Sequence, residues 1–279
     1  MRKTFFLALC TFIAIGAPAA QFHDFYVIPV AAHSAGANGT SWRTDVSIQN
    51  IQSTPVTVEF AIVESGEGLL DNTFPVAVDA SGASTVTVPA GGSVTLTDVL
   101  KNHRGRAETT GALLAGGDKA FAVTSRTYNA TANGTLGQTV SAAGDVASDG
   151  STAASTLFIP GLVQNASFRT NLGLVMSAAT VPLTVTVTIN GASGSALGTR
   201  TFSVAAGVTT HVQFPATSVA AAPFDTAGAI VRIAGGTGTV VSYASVVDNG
   251  TGDASFISGG AANAGDVSPL LAALKRTGQ

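Results

Sequence analysis

The sequence predicts an all-β chain built as two tandem β-sandwich units with few helices, and three observations carry that reading. Period-2 alternation of apolar and polar residues, broken by Gly, Pro and Asn turns, runs through most of the 279 residues. Charged residues are only 10% of the chain, against about 25% in ordinary soluble domains, while 46% are apolar. Thr and Ser take the outward strand positions that Lys and Glu would otherwise fill. One stretch is also written twice. Ser41-Trp42-Arg43-Thr44-Asp45-Val46-Ser47-Ile48-Gln49-Asn50 returns as Ser167-Phe168-Arg169-Thr170-Asn171-Leu172-Gly173-Leu174-Val175-Met176.

Residues 1–20 read as a secretory signal peptide. Arg2 and Lys3 start it, Phe5 to Ile15 is a short apolar run, and Ala17-Pro18-Ala19 is a small-residue cleavage pattern. The run is too short to span a bilayer, so no transmembrane span is expected after cleavage. The expected location is secreted: periplasm, cell surface or extracellular. Cys10, the one cysteine, lies inside the apolar run behind Leu9, which does not fit a lipid-attachment site. The mature chain then has no disulfide, no thiolate nucleophile and no cysteine-bound metal.

Unit 1 is expected over 21–129. Phe25-Tyr26-Val27-Ile28-Pro29 is a short strand ended by proline. A Gly/Asn/Ser loop leads into the repeated stretch, in which Trp42, Thr44, Val46 and Ile48 face one way and Arg43, Asp45, Ser47 and Gln49 the other. Val56, Val58, Phe60 and Ile62 form the core face of the next strand, and Glu64 to Asn72 is a loop. Strand-like segments follow at 73–78, 85–88 and 93–96, with Pro89-Ala90-Gly91-Gly92 as a turn. Asp98 to Glu108 is a polar excursion with one helical turn. Residues 112–114 and 120–128 close the unit, and Gly116-Gly117-Asp118 reads as a hairpin turn between them.

Residues 130–155 are poor in large apolar side chains and read as an extension and linker. Unit 2, over 156–257, repeats the landmarks in order. Leu157-Phe158-Ile159-Pro160 matches Tyr26-Val27-Ile28-Pro29. Leu183, Val185, Val187 and Ile189, alternating with Thr184, Thr186 and Thr188, match the strand at Val56. Ala234-Gly235-Gly236 matches Ala115-Gly116-Gly117, and 240–247 matches 121–128. Residues 258–279 are a flexible spacer and a short C-terminal helix over 268–276 that opens on Pro269.

At these landmarks the chain resembles a repeat unit of exported bacterial proteins. Its marks here are Trp42-Arg43-Thr44-Asp45, Phe168-Arg169-Thr170-Asn171-Leu172-Gly173-Leu174, Ser125-Arg126-Thr127-Tyr128-Asn129 with Gly134-Thr135-Leu136-Gly137-Gln138, and Ser242-Tyr243-Ala244-Ser245-Val246-Val247-Asp248-Asn249. The resemblance covers most of 25–257. It implies immunoglobulin-like β-sandwich units and no catalytic residues.

Chemistry-bearing constellations are sparse. None of His23, His33, His103 and His211 lies in a Gly-x-Ser-x-Gly elbow or a His-Glu-x-x-His pattern, and each reads as a surface or edge histidine. Glu59, Glu64 and Glu67 are the nearest acidic cluster and read as solvating residues. Asp248-Asn249-Gly250-Thr251-Gly252-Asp253 faintly resembles a calcium loop, with Asp248 and Asp253 as candidate ligands, but lacks the EF-hand spacing and terminal glutamate. Trp42, on the apolar face, reads as core. Thirteen basic against 16 acidic side chains give a net charge of −3. Lys101, His103, Arg104 and Arg106 are the densest basic group and read as a solvated loop. Nucleic acid is therefore not an expected partner.

The polar positions that recur in register are Arg43 with Asp45 and Arg169 with Asn171. They read first as intra-sheet pairs, and in a sharper reading as equivalent binding sites for a protein or cell-surface partner. With no catalytic set and no cofactor motif, the expectation is a non-enzymatic exported structural, adhesive or interaction protein with no cofactor. The alternative is a ligand-binding or accessory module of a secreted system with a calcium-stabilised loop. A hydrolase is the least favoured class.

Overall fold

The computed structural model describes residues 22–66, 68–69, 85–143 and 156–261. The expected signal peptide, the strand at 73–78, the linker beyond residue 143 and the C-terminal helix lie outside the described residues. What is described is all-β, as the alternation predicts. The first half holds β1 (His23–Ala35), β2 (Ser41–Gln49), β3 (Val56–Glu64), β4 (Gly68–Leu69), β5 (Thr85–Val88), β6 (Ser93–Leu96), α1 (Val99–Arg104), β7 (Thr109–Thr131) and β8 (Gly134–Val140). The second half holds β9 (Thr156–Gln164), β10 (Phe168–Ala178), β11 (Leu183–Gly191), β12 (Ala196–Val204), β13 (Thr209–Pro215), β14 (Phe224–Gly235), β15 (Gly238–Asp248), β16 (Ala254–Ser258) and β17 (Gly260–Ala261).

The duplication is visible in the pairing. In the second half one layer runs β12-β11-β14-β9 and the other β16-β15-β10-β13. In the first half the same neighbours recur as β5-β3-β7-β1 and β8-β7-β2-β6. The difference is that β7 serves both layers. Its first part pairs β1 and β3, and its second part pairs β2 and β8. Gly116-Gly117-Asp118 is accordingly not a hairpin turn. His23 pairs Phe121 while Phe25 pairs Gly116, so the residues between bulge out of the ladder and carry the strand from one layer to the other. The matching Gly235-Gly236 step in unit 2 splits β14 from β15 in the same way, with Gly236 at φ 81°. The flanking segments belong to different layers, so neither site can be a hairpin.

Each unit closes on its own core. Ile28, Val46, Ile48, Val56, Val58, Phe60, Leu113 and Phe121 fill the first. Leu172, Leu174, Met176, Leu183, Val185, Val187, Ile189 and Val231 fill the second. These are the alternate residues that period 2 assigns inward. Gly134–Val140, expected within the extension, is instead strand β8, paired with β7 from Ser125↔Val140 to Thr131↔Gly134. Its small and polar residues suit a sheet edge.

The units pack against each other. Val27, Ala61, Val63, Ala112 and Leu114, on the outer face of the β1/β3/β7 layer, bury against Val175 and Val241 on the outer face of the β10/β15 layer. The segment after β3, expected as a loop, adds strand β4 to the edge of β13, with Leu69 opposite Thr209 and Gly66 N–H donating to His211 C=O at 3.0 Å. Packing is head to tail, so equivalent layers meet different fates. In unit 2 the layer equivalent to β1/β3/β7 turns Thr184, Thr186, Thr188 and Arg232 outward, and none of the four is buried. The outward apolar residues of the β1/β3/β7 layer are covered by the sister unit, whereas the outward Phe158 of β9 stays 41% exposed.

Candidate functional site

Where the two units meet, a cleft of about 430 Å³ opens, lined from unit 1 by residues including Ser34, Trp42 and Gln138 and from unit 2 by residues including Arg169, Asn171, Gln213 and Ser245. The register explains the unit 2 side. Asn171 pairs Ser245 in one direction and Pro215 in the other, Arg169 pairs Val247, and Gly173 pairs Gln213. Residues paired in this way share a face, so Arg169, Asn171, Gln213 and Ser245 all point out of the unit 2 sandwich toward unit 1.

Trp42 is a correction to its core assignment: it is half-buried and belongs to the cleft. Alternation was right for Thr44, Val46 and Ile48, which are buried. Trp42, however, stands at the start of β2, opposite Ser34 across the tight β1–β2 connection, and the core layers begin deeper. Its indole lies against Gly36, and a side chain there would overlap Trp42 Nε1 and Cδ1.

The cleft is rich in polar groups, and among the described residues its lining side chains pair with one another at Ser245 and Gln138. Arg169 donates from Nη1 to Asn249 Oδ1 at 2.8 Å and has no acidic partner among the described residues. Burial lowers its pKa from the ordinary arginine value. Ser245 Oγ donates to Gln138 Oε1 at 3.1 Å, tying β15 to β8 across the unit boundary and leaving the Gln138 amide N–H groups to the cleft. The Asn171 and Gln213 carboxamides and Trp42 Nε1 have no hydrogen-bond partner among the described residues. Among the described residues the lining includes no Asp or Glu.

Arg43 and Asp45 are not the counterpart of this site. Arg43 Nε is 3.6 Å from Asp98 Oδ2 and its Nη1 donates to Trp42 C=O. Asp45 Oδ1 accepts from Asp98 N–H at 2.8 Å and Tyr128 O–H at 3.1 Å. Burial, and then the Asp45 charge, raise the Tyr128 pKa. His33 Nδ1 completes the group 2.8 Å from Asp98 Oδ1. The cluster fastens the entrance of α1, where Asp98 sits at φ 46°, onto β1 and β2. The structure thus brings Arg169 and Asn171 into a cleft and Arg43 and Asp45 into a structural knot.

Other sequence expectations change as well. His33 and His211 are buried, not surface residues, at 4% and 0% exposure. His211 Nε2 is 3.0 Å from Tyr243 Oη, the two rings parallel with centroids 6.1 Å apart, and Nδ1 has no partner among the described residues. Burial pushes His211 down to about 4. Arg104 is buried at the end of α1 instead of lying in a solvated loop. Asp248 and Asp253 close one turn, with Asp248 Oδ1 accepting from Gly250 and Thr251 N–H and Asp253 Oδ1 from Ala254 N–H. No group of three His, Cys, Asp or Glu residues placed to hold a metal occurs among the described residues.

Gln138, Gln213 and Ser245 carry no sequence signal as site residues. Their parity marks them as outward, but only the packing of unit 1 over that face makes them a cleft. Thr44 and Thr170, the fully buried threonines of the repeated stretch, have inward parity instead. Thr44 Oγ1 accepts from Ala32 N–H at 2.8 Å, and Thr170 Oγ1 donates to Val163 C=O, so each ties its strand to the preceding one.

No family model matches the chain, and no curated protein matches it in sequence. Among solved structures it is similar to one described as the structure of infectious bursal disease virus Gx strain. That likeness has 13% identity over 86% of this chain and 72% of the other, with a TM-score of 0.18. A likeness that slight carries no argument about this chain.

Proposed function

We propose that the protein is a non-enzymatic exported interaction protein, structural or adhesive in role, and that it recognises its partner through the inter-unit cleft. The observation that carries this reading is the set of unpaired polar groups contributed by both units to one cleft. These groups lie within reach of water, and a partner with matching donors and acceptors can take the place of that water. The apolar leader behind Arg2 and Lys3 supports export, and the repeated landmarks support kinship with repeat units of exported bacterial proteins.

The non-enzymatic reading is supported by the histidines. His33 meets Asp98 without a hydroxyl, and His211 meets Tyr243 without a carboxylate. Neither forms the nucleophile, base and orienting acid that acyl transfer needs. Expression with its own leader, followed by fractionation, tests export; recovery in the cytosol with an uncleaved leader rejects it. Attachment of labelled protein to cell-surface material, with and without Arg169→Ala, tests the cleft. Loss of attachment at unchanged melting temperature is expected, and undiminished attachment rejects the cleft as the recognition site.

A further inference from the structure

We infer that the cleft binds an acidic saccharide, with a carboxylate on Arg169, hydroxyls on the carboxamides of Gln138, Asn171 and Gln213, and a sugar face against Trp42. The inference rests on the proposed role of the cleft as the recognition site and names what that site takes.

Four features select this chemistry. First, among the described residues the cleft holds one arginine and no carboxylate, in a chain whose net charge is −3. A local cation without an acidic partner, inside a negative protein, favours an anion, and a planar guanidinium matches a carboxylate in a two-point bond. A phosphate or polyanion would call for several cations, and Arg169 is the cation of the lining.

Second, besides the hydroxyls of Ser34, Thr110 and Ser245, the lining carries three carboxamides. Each offers both N–H donors and a C=O acceptor, and so matches hydroxyls, which both donate and accept. Third, the indole of Trp42 lies against Gly36, where a Cβ would collide with it, and lines the same space. Apolar C–H faces of a sugar ring suit such a surface. Fourth, about 430 Å³ lies within the ~300–1,000 Å³ range of small-molecule sites.

The geometry is also preformed. Arg169 is steadied by Asn249 and Gln138 by Ser245, and Trp42 lies against Gly36, so these three groups are held by protein contacts before any ligand arrives. Pre-ordering of this kind spares the side-chain entropy that recognition otherwise costs.

The chain supplies its own reporter, since Trp42 is its one tryptophan. Fluorescence titration of the protein with galacturonate and glucuronate oligosaccharides should give a saturable change. The neutral galactose and glucose oligosaccharides, and acetate as a bare carboxylate, should bind at least about tenfold more weakly. Gln213→Ala, which breaks no hydrogen bond within the described protein, and Arg169→Lys, which keeps the charge but loses the fork, should each weaken uronate binding while leaving the melting temperature unchanged.

A flat titration with every uronate, equal response to neutral sugars, acetate binding as tightly as the uronates, or uronate binding untouched by both variants would each overturn the saccharide inference. If uronates fail while Arg169→Ala still abolishes surface attachment, the ligand class falls and the cleft stands. If attachment also persists, both fall.

Discussion

The ring of Tyr243 crosses the backbone of Gly173 with no room for a side chain between them. The two residues are register partners on β15 and β10, and a Cβ on Gly173 would run into the phenol carbons and the hydroxyl. Glycine inside a strand loses packing and entropy unless something needs the space. Here the space holds a fully buried tyrosine that packs with the unit 1 core and hydrogen-bonds His211. Gly173→Ala should therefore destabilise the protein by about 1–3 kcal/mol through overpacking, read as a lowered melting temperature. An unchanged melting temperature would mean that Tyr243 does not occupy this place.

His211 gives stability an acid limit. Its folded pKa is about 4, against an ordinary 6.5, because burial disfavours the charged ring. Above pH 6.5 the histidine is neutral folded or unfolded and contributes no slope. Between pH 6.5 and about 4 the unfolded chain takes up a proton that the folded one refuses, so stability falls as pH falls. Below about 4 both forms are protonated and the slope ends. The full loss is on the order of 3 kcal/mol. Chemical denaturation across pH 4–7 should show this slope, and His211→Gln should flatten it whatever its absolute stability.

The fold was largely legible in the sequence, and the site was half legible. Alternation placed Val56, Val58 and Phe60 and Leu183, Val185 and Val187 in their cores, because a half-buried strand sorts its two faces locally. The same alternation could not show that unit 1 covers the outward face of β10 and β15, since Arg169 and Asn171 read identically whether solvent or a second unit faces them. Arg43 and Arg169 looked equivalent for that reason. Gly117 reads as a turn in sequence because local chemistry cannot tell a hairpin from a bulge that hands a strand to the other layer. Trp42 shows the converse error: it has core parity but lies beyond the end of the core.

The repeated threonines carry a shared structural load. Thr44 and Thr170 are fully buried and each bonds the main chain of the strand before it. Thr44 Oγ1 also lies 2.9 Å from Thr127 Oγ1. Thr→Val keeps the shape and removes the hydroxyl. Thr44→Val leaves Ala32 N–H unpaired, Thr170→Val leaves Val163 C=O without this bond, and each should cost about 1–3 kcal/mol. Thr→Ser at either site should retain most of that stability, and urea midpoints for the four variants provide the comparison.

The turn at Asp248 works as a hydrogen-bonded closure. Its carboxyl is held below the usual range by the backbone N–H groups of Thr251 and Gly250. With that oxygen engaged, millimolar calcium or a chelator should leave the melting temperature where it is. Asp248→Ala should lower it slightly by opening the turn, and Asp248→Asn, which keeps an acceptor oxygen, should lower it less. A calcium-dependent rise that Asp248→Asn removes would instead make this loop a metal site.

Arg43 and Arg169 occupy the same place in the repeat, so their variants separate structure from recognition. Arg43 faces Asp98 in a cluster that also holds His33, Asp45 and Tyr128, with the Arg43 and Asp98 side chains 25% and 18% exposed. Partial solvent screening limits that pair to about 0–1 kcal/mol. Arg43→Ala should lower the melting temperature modestly and loosen α1, seen as faster amide exchange over 99–104, while leaving recognition intact. Among the described residues Arg169 faces no acid, and it donates to Asn249. Arg169→Ala should leave the melting temperature nearly unchanged and abolish attachment to surface material. If both variants lose stability alike and both retain attachment, the packing of unit 1 over unit 2 has created no site, and the two arginines are the equivalent structural residues that their repeat position first suggests.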